Sequence, residues 1–286
     1  SSTAPHTADA GVAAAATPGA VEKAEIIDAR GAVQARIGEK GPWSEAAIGD
    51  KLNTDDAVRA GRNAEATLRM GNGVEVRLSP RSEFTIRELS ESVSKIRLEE
   101  GHVTASVDEN GKRTLRVAAR GTDAEAESKG GAFGVVTDGK GQLAVATSTG
   151  SVKLSAGGQT VDVAAGQISQ LAGGVPSAPR AIPASLFLKV AELGAKKTKE
   201  TSVTVNGATD PGSLVHAGDA TAKVDERGRF RIQIPLKDGD NSVTVDVTDA
   251  SGRTRTQALP TIVVDRKKPP IEAETKWGTP APTTPN

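Results

Sequence analysis

The sequence predicts an all-β protein, and three observations support this fold class. Hydrophobic residues make up 36% of the chain but aromatic residues only 2%, so the core must be built from Val, Leu, Ile and Ala, which suits thin β layers. Thirty-one Gly and fifteen Pro supply the turns that many short strands require. Apolar and polar residues also alternate with a period of two in several segments, which is typical of half-buried strands.

The stretch 133–154 shows this pattern most fully. It predicts three short strands separated by two tight turns, at residues 138–141 and 148–150. In the last of these strands Val152 and Leu154 face one way, whereas Ser151 and Lys153 face the other. The same pattern repeats along the chain, so the sequence indicates a layered sheet structure.

Strands are expected from about Ala24 onward at intervals of roughly eight to twelve residues, a spacing typical of β-sandwiches and solenoid-like β folds. Turns are expected at residues 71–73 and 79–82, and a hairpin turn at 108–111 is expected to lead into the strand around Leu115. Charges of both signs occupy the outward positions, which favours a solvated face over the alternative of a basic groove. These outward residues are Arg69, Glu75, Arg77, Lys95, Arg97 and Arg116.

Composition divides the chain into five segments. Residues 1–23, rich in Ala, Thr, Pro and Gly, are expected to be a disordered lead, with a short alanine helix as the alternative. Residues 24–172 form the first β domain, a twisted antiparallel sandwich or solenoid-like unit. Residues 173–184 are expected to form a semi-rigid Pro/Gly linker, and residues 185–266 a second β domain. Residues 267–286 are expected to form a Pro-rich disordered tail, in which Trp277 is a possible anchor on a partner.

The second domain has the clearest alternation. Phe230, Ile232 and Ile234 share one face, and the valines at positions 243, 245 and 247 share another. Turn sequences occur at 210–212, 225–228, 237–241 and 249–252. About seven strands over about eighty residues is the pattern of an immunoglobulin-type β-sandwich. Residues 186–190 fit either a first strand or a helical turn.

Composition also excludes several classes of function. Thirty-six basic and thirty-six acidic side chains cancel, and no basic stripe carries interleaved aromatics, so nucleic-acid binding is not expected. Cysteine is absent, which excludes disulfides and thiolate chemistry. No window has the roughly 18 apolar residues of a membrane span, and the chain starts with neither Met nor a signal peptide. We therefore expect a processed chain from which a leader was removed.

No catalytic, cofactor-binding or metal-binding residue is predicted, and the chain is not expected to be an enzyme. His6, His102 and His216 are too far apart in sequence to predict a zinc site. The Ser-x-x-Lys match at 92–95 lies in a strand pattern, whereas the penicillin-recognising enzymes need it at a helix start. The acidic run 238–241 is explained by turn formation, and the adjacent pairs 55–56 and 99–100 should point to opposite faces of a strand.

The first β domain resembles the FecR domain, a periplasmic module known from iron-siderophore signalling. The resemblance covers about residues 24–172. It depends on the order and spacing of several short motifs: Gly49-Asp-Lys-Leu-Asn-Thr, Gly71-Asn-Gly-Val-Glu-Val-Arg-Leu-Ser-Pro-Arg-Ser, Leu98-Glu-Glu-Gly-His-Val, Phe133-Gly-Val, Gly150-Ser-Val-Lys-Leu and Ala165-Gly-Gln.

One motif departs from that family. Its Arg-Gly-Thr normally stands two residues before the Phe, whereas Arg120-Gly121-Thr122 ends eleven residues before Phe133 here. The contact that this arginine makes in relatives therefore does not transfer to Arg120.

The second β domain resembles the immunoglobulin-like domains of bacterial exported proteins, which act as spacers or adhesive modules. The residues that carry the resemblance are Val205-Asn-Gly-Ala-Thr-Asp-Pro-Gly, Val224-Asp-Glu-Arg-Gly-Arg-Phe, Leu236-Lys-Asp-Gly-Asp-Asn and Asp249-Ala-Ser-Gly.

Together these features predict a non-catalytic, exported cell-envelope protein, periplasmic or on the outer surface, that works as a protein-interaction scaffold without a cofactor. Its expected partners are other envelope proteins, with peptidoglycan-associated or secretin-associated assemblies as specific possibilities, and self-association through β edges is a further one. FecR transducers also carry a cytoplasmic anti-sigma segment and a membrane span, neither of which is found in this sequence, which favours the scaffold. One alternative is a periplasmic FecR-type sensor whose membrane part was removed from this chain, and another is a carbohydrate-binding or adhesive accessory protein.

Overall fold

The all-β prediction is confirmed by the computed structural model, which describes residues 22–192 and 197–266. Every regular element in these two ranges is a strand, so no helix there could span a membrane. The predicted disordered tail and all but the last two residues of the predicted lead lie outside the described residues.

In chain order the strands are β1 (Ala24–Arg30), β2 (Val33–Arg36), β3 (Trp43–Glu45), β4 (Lys51–Leu52), β5 (Ala57–Ala60), β6 (Glu65–Met70), β7 (Val74–Leu78), β8 (Ser82–Leu89), β9 (Val93–Val107), β10 (Thr114–Ala119), β11 (Glu125–Ser128), β12 (Gly131–Thr137), β13 (Leu143–Ala156), β14 (Gln159–Ala164), β15 (Gln167–Ala172), β16 (Val175–Pro176), β17 (Arg180–Ala181), β18 (Leu188–Val190), β19 (Lys197–Thr198), β20 (Ser202–Thr209), β21 (Leu214–Ala217), β22 (Ala220–Ala222), β23 (Arg229–Pro235), β24 (Gly239–Asn241), β25 (Thr244–Thr248), β26 (Thr254–Ala258) and β27 (Ile262–Val264).

Strands β1–β17 form the first unit, which has two facing layers. Layer A follows the order β4-β1-β6-β7-β9-β12-β13-β15-β17. Layer B follows the order β3-β2-β5-β8-β9-β10-β11-β13-β14. The long strands β9 and β13 occur in both layers, so the two sheets are joined by continuous backbone.

Each long strand changes layer at a glycine. The first part of β9 pairs with β8 and β10 in layer B, and the part after Gly101 pairs with β7 and β12 in layer A. Gly101 has φ +103°, and a Cβ there would lie 2.5 Å from the Cα of Ser82. Because only glycine adopts such a conformation without strain and leaves room for the neighbouring turn, the corner depends on this residue.

Strand β13 changes layer in the same way, at Gly150. The predicted turn at 148–150 is therefore wrong. The chain does not reverse there: β13 continues from layer A into layer B through Gly150, whose φ is +71°. A Cβ on Gly150 would lie 2.4 Å from the Gly130 carbonyl oxygen. The glycine that suggested a hairpin therefore makes a corner within one strand. The other predicted turn, at 138–141, does separate β12 from β13.

The predicted hairpin at 108–111 is also wrong. The chain does turn there, but β10 pairs with the first part of β9 in parallel, with Thr114 opposite Val93. Since β9 has already crossed into layer A when it reaches this turn, the returning chain enters layer B beside the start of β9. The sequence shows the turn but not the change of layer that precedes it.

The core of the first unit lies between the two layers. Its largest fully buried side chains include Phe84 and Ile96 from layer B and Leu68 and Phe133 from layer A. Burying a side chain of this size contributes about 1.5–3 kcal/mol, so the alternating faces predicted from the sequence account for the packing of the two sheets. Outward charges pair across strands, as in the ion pair of Arg69 with Glu75 at 3.6 Å.

Strands β18–β27 form the second unit, arranged as three small sheets: β18-β20-β23, β19-β27-β24 and β22-β21-β25-β26. Phe230, Ile232 and Ile234 lie in its core together with Val245 and Val247, as their alternation predicts. Leu188–Val190 is a strand, which settles the open alternative for residues 186–190. Part of the predicted turn 237–241 pairs with β27 as strand β24. The immunoglobulin-type assignment stays a prediction.

The segment predicted to be a linker lies against the first unit. Its β16 and β17 both pair with β15. The linker and the domain boundaries at 172 and 185 stay predictions, but this pairing leaves few residues free between the units.

Replacing the corner glycine tests how far the fold depends on it. We expect Gly101→Ala to lower the free energy of unfolding by about 2–5 kcal/mol, because strain at positive φ adds to steric overlap with the 79–82 turn. The matched control is Gly158→Ala, whose φ of +72° is also positive but whose Cβ would meet nothing within 4 Å. This control should lose only about 1–2 kcal/mol. Equal losses in urea unfolding would contradict a special role for the corner.

Candidate functional site

The two units meet along an apolar seam on the outer face of layer A. There Val136, Ala144, Ala146 and Ile168 form one buried cluster with Leu214 and Ala250 of the second unit. Outward residues of a free sheet face water, so the apolar character of these outward positions indicates that the second unit belongs there. We call this contact, between β12, β13 and β15 on one side and residues 212–216 and 249–252 on the other, the seam.

Gln142 holds one end of the seam. Its side-chain amide donates to the carbonyl of Ser213 at 2.9 Å, and its side-chain oxygen accepts from the backbone N–H of Val224 at 3.2 Å. Its own backbone N–H donates to Asp138 Oδ1 at 2.9 Å, which fixes the 138–141 turn beneath it. A buried side chain that satisfies two backbone groups of the other unit specifies a single docking geometry.

His102 lies at the centre of the seam, in β9 directly after the corner. Its Nε2 is 3.2 Å from the Ala250 carbonyl oxygen, and its Nδ1 is 2.8 Å from Ser79 Oγ. Because a carbonyl can only accept, Nε2 carries the proton and the Ser79 hydroxyl donates to Nδ1. Burial lowers the pKa of His102 to about 4, while the Ala250 carbonyl and the charge of Asp249 act in the opposite direction. The imidazole is therefore neutral near pH 7.

Gly134 allows the second unit to come this close. A Cβ on this residue would lie 2.0 Å from the Ala250 carbonyl oxygen and 3.0 Å from His102 Nε2. The opposing 249–252 turn is held in shape by Asp249, whose Oδ1 accepts from the backbone N–H of Ser251 and of Arg253, both at 3.0 Å. The 249–252 turn is therefore preformed, and it packs into a slot on the first unit that exists because residue 134 has no side chain.

A second histidine, His216, lies at a further group of contacts between the two units. The Nδ1 of His216 is 3.2 Å from Thr221 Oγ1, and that hydroxyl donates to Glu100 Oε1 at 2.6 Å. Arg81 crosses from the first unit to Asp246 at 3.2 Å. Burial, and then the charge of Arg81, lower the pKa of His216, which Glu100 and Asp246 partly oppose. Both histidines thus stabilise the seam in their neutral form.

A polar cleft of about 800 Å³ opens beside the seam, and both His102 and His216 line it. Each of its arginines is paired with a carboxylate: Arg62 with Asp219, Arg77 with Glu65 and Arg81 with Asp246. The remaining lining is rich in hydroxyl groups. It includes Ser79, Thr104, Thr244, Thr248, Ser251, Thr254 and Thr256.

The other residues considered from sequence do not converge on one site. His6 lies outside the described residues. Val93 and the residues after it form strand β9, so the Ser-x-x-Lys match at 92–95 lies where the alternation predicted a strand. Within residues 22–192 and 197–266 no group of three or more His, Asp or Glu side chains could hold a metal ion. Arg120 lies on the outer side of layer B, among the residues of a shallow groove with Arg59, Glu83 and Glu99.

In each adjacent carboxylate pair, 99–100 and 55–56, the two side chains point away from each other, but the reasons differ. Glu99 accepts from Thr85 at 2.9 Å on layer B, whereas Glu100 reaches across the seam to Thr221, as expected for neighbours in a strand. Asp55 and Asp56, however, lie in the turn before β5. Asp56 caps backbone N–H groups, and Asp55 pairs with Arg87 at 3.0 Å.

Sequence reasoning missed the seam. It placed the histidines as isolated strand or surface residues and treated the turn 249–252 as a connection only. The available signal was the apolar character of both faces of β12 and β13: Val135 and Val136 are adjacent and both buried, as are Ala144 and Val145. A strand buried on both faces must be covered by something beyond its own sandwich.

Part of the first unit matches a known protein family. Residues 56–153 match the family described as FecR protein. This span is about a third of the chain, from just before β5 into β13. It contains the Gly101 and Gly150 corners and most of the first unit's seam residues, including His102 and Gly134. The match confirms the resemblance for these residues.

Other similarities are partial. Over 65 residues the chain is 32% identical to the PII-type proteinases of Lactococcus lactis subsp. cremoris and Lacticaseibacillus paracasei, which is 22% of this chain. The chain spans only 3% of the length of these relatives. A crystal structure of a candidate anti-sigma factor from Parabacteroides distasonis is similar at a TM-score of 0.38 and 16% identity, over 44% of this chain and 59% of that one. At these values neither similarity decides the function of this chain.

The neutral histidines predict a pH dependence of stability. The folded-state pKa of His102 lies below its unfolded value, so the unfolded chain binds more protons as pH falls from about 6.5 to 4. The stabilisation is complete above the unfolded pKa and is lost as pH falls toward the folded one. We expect His102 to contribute a loss of about 2–4 kcal/mol over this range, measured by urea unfolding.

The control for this prediction is His102→Gln, which keeps a donor toward Ala250 and an acceptor toward Ser79 but does not titrate. Its stability should fall less steeply between about pH 6.5 and 4. Since carboxylates titrate in both proteins, only the difference between the two curves reports on His102. Identical curves would show that the seam is insensitive to this group.

Gly134→Ala tests whether the slot fixes the two units to each other. The added methyl group overlaps the Ala250 carbonyl, so the units should separate while each keeps its own core. We expect a larger radius of gyration in small-angle scattering and an unchanged far-ultraviolet spectrum. Gly158→Ala is the control because it is remote from the seam. An unchanged radius in the Gly134 variant would contradict the slot.

Proposed function

We propose that this chain is a FecR-type sensor of the bacterial cell envelope that acts by binding other proteins and not by catalysis. The family match over residues 56–153 carries the proposal, since FecR-type modules are known from cell-surface signalling. It favours the sensor over the scaffold that composition alone suggests. Export to the periplasm or the outer surface follows from the same relationship and is part of the proposal.

The arrangement of the seam supports this role. A sensor must pass an event at one surface to another, and the seam connects the two units through a small set of specific contacts. Glu100, His102 and Gly134 of the first unit all make or permit contacts to the second unit. A partner that binds either unit would alter the seam if its affinity for the docked and undocked arrangements differed.

The lining of the cleft supports a non-catalytic role. Its arginines are paired with carboxylates, and its two histidines are engaged by the backbone or by hydroxyl groups. Ser79 donates to His102 Nδ1 and the Ala250 carbonyl accepts from Nε2, so the hydrogen bonds resemble those of a nucleophile and its base. His102 is only 2% exposed, however, and burial lowers its pKa to about 4, which makes it a poor general base near neutral pH.

A structural scaffold is the second candidate. The observation that favours it is the extent of the seam, in which an apolar cluster, Gln142 and two histidines join the units at several points. In that role the protein would hold other envelope components at a fixed spacing and would not change state.

Deletion of the gene in the source bacterium distinguishes these candidates. For the sensor we expect altered transcription of a defined group of genes, restored by the wild-type gene and by Gly158→Ala but not by Gly134→Ala. Fractionation of the complemented strain should place the protein outside the cytoplasm. Unchanged transcription with a loss of envelope assembly would reject the sensor in favour of the scaffold, and a cytoplasmic protein would contradict both.

A further inference from the structure

The outer face of layer B is charged, and most of its cations are paired with carboxylates on the same face. Lys95 pairs with Glu125 at 2.6 Å, Arg116 with Glu127 at 2.9 Å and Arg97 with Glu99 at 2.7 Å. Lys153 lies 3.9 Å from Asp162 at the far edge. Such pairing of opposite charges is typical of a solvated sheet face.

The pairing stops at the end of layer B near β2, β3 and β5. There Arg36 and Arg59 make no ion pair with any residue in 22–192 or 197–266. Both instead stack on one indole: the guanidinium carbons of Arg36 and Arg59 are 4.9 and 4.3 Å from the centroid of the Trp43 ring. We call Trp43, Arg36 and Arg59 the Trp43 patch.

The register explains how the patch is built. Arg36 is directly opposite Trp43 across the β2–β3 pair, and Gln34 is opposite Arg59 across the β2–β5 pair. Arg59 Nε donates to Gln34 Oε1 at 2.8 Å, which fixes that guanidinium group. Arg36 Nε is buried and has no partner among the described residues. Both cations are therefore held in place while their terminal N–H groups are not used by a carboxylate.

Among the described residues no carboxylate forms an ion pair with the patch. Glu83 is opposite Arg59, yet it comes within 4 Å of neither arginine, and Glu45 is exposed beside Trp43. Burial raises the pKa of Glu83, a shift that Arg36, Arg59 and Arg120 oppose and the charge of Glu99 reinforces. The guanidinium groups of Arg36 and Arg59 can therefore each pair with a further carboxylate.

The patch also lies at an open edge. Strand β3 pairs only with β2 among the described strands, so its outer backbone groups have no sheet partner. Two of the three exposed large apolar side chains of the described residues are close in sequence: Ile37, 59% exposed, follows Arg36, and Ile48, 62% exposed, follows β3 by three residues. Tryptophan and arginine beside exposed aliphatic residues is the composition of interaction hot spots.

We propose that the Trp43 patch binds an extended acidic segment of a partner protein, whose carboxylates pair with Arg36 and Arg59 while its backbone lies along β3. Stacked guanidinium groups are suited to bidentate carboxylate binding because the ring fixes their planes. The assignment rests on the proposed function, since it names the kind of partner that a protein-binding envelope module would contact. An open strand edge and two guanidinium groups without a carboxylate partner among the described residues favour a peptide over a glycan.

An acetylated and amidated hexaglutamate peptide tests the proposal with the full chain. The sequence has two tryptophans, so Trp277→Phe leaves Trp43 as the only indole reporter. We expect a saturable change in tryptophan fluorescence at low salt that weakens as ionic strength rises, because the contact is electrostatic. The pair of substitutions Arg36→Gln and Arg59→Gln should weaken binding at least tenfold, roughly the cost of one charge-assisted contact.

Arg116→Gln is the matched control, because Arg116 lies on the same face but is already paired with Glu127. It should bind the peptide like the parent protein. No saturable binding to the parent, or equal weakening by Arg116→Gln, would overturn the proposal, and so would equally tight binding of inorganic phosphate, which would indicate a general anion site. The titration needs only purified protein, so its failure is distinguishable from a negative result in the deletion strain.

Discussion

The fold depends on two strands that each belong to both layers. Because β9 and β13 bend at Gly101 and Gly150, the pairing of one sheet fixes the register of the other. A slip of one residue on either strand would turn inward-facing apolar residues outward in both layers at once. The two-layer core is therefore specified by backbone geometry at two points as well as by hydrophobic burial.

The Gly101 corner also places the residues that connect the two units. Glu99, Glu100 and His102 surround it in sequence, but they face three different environments: the outer side of layer B, the Thr221 hydroxyl and the Ala250 carbonyl. One short piece of β9 thus links the core, the seam and the charged face that leads to the Trp43 patch. The proposed sensor role would use this short segment to connect the two units.

Much of this architecture could be predicted from the sequence, because alternation directly reports which strand faces are buried. Phe230, Ile232 and Ile234, for example, lie where the period of two places them. The corners could not be predicted, since a glycine with positive φ has the same sequence pattern in a hairpin and in a bent strand. The seam was hidden because it joins residues over a hundred positions apart, such as His102 and Ala250, and single-sequence patterns report only local spacing.

The apolar seam has a practical consequence for dissecting the protein. A fragment cut between the units would expose Val136, Ala144, Ala146 and Ile168 as a bare aliphatic surface in water. Such a surface promotes aggregation, so poor behaviour of the isolated N-terminal fragment would reflect a missing neighbour and not a faulty core. Useful truncations would have to replace those four side chains with polar ones or retain the strand that supplies Leu214.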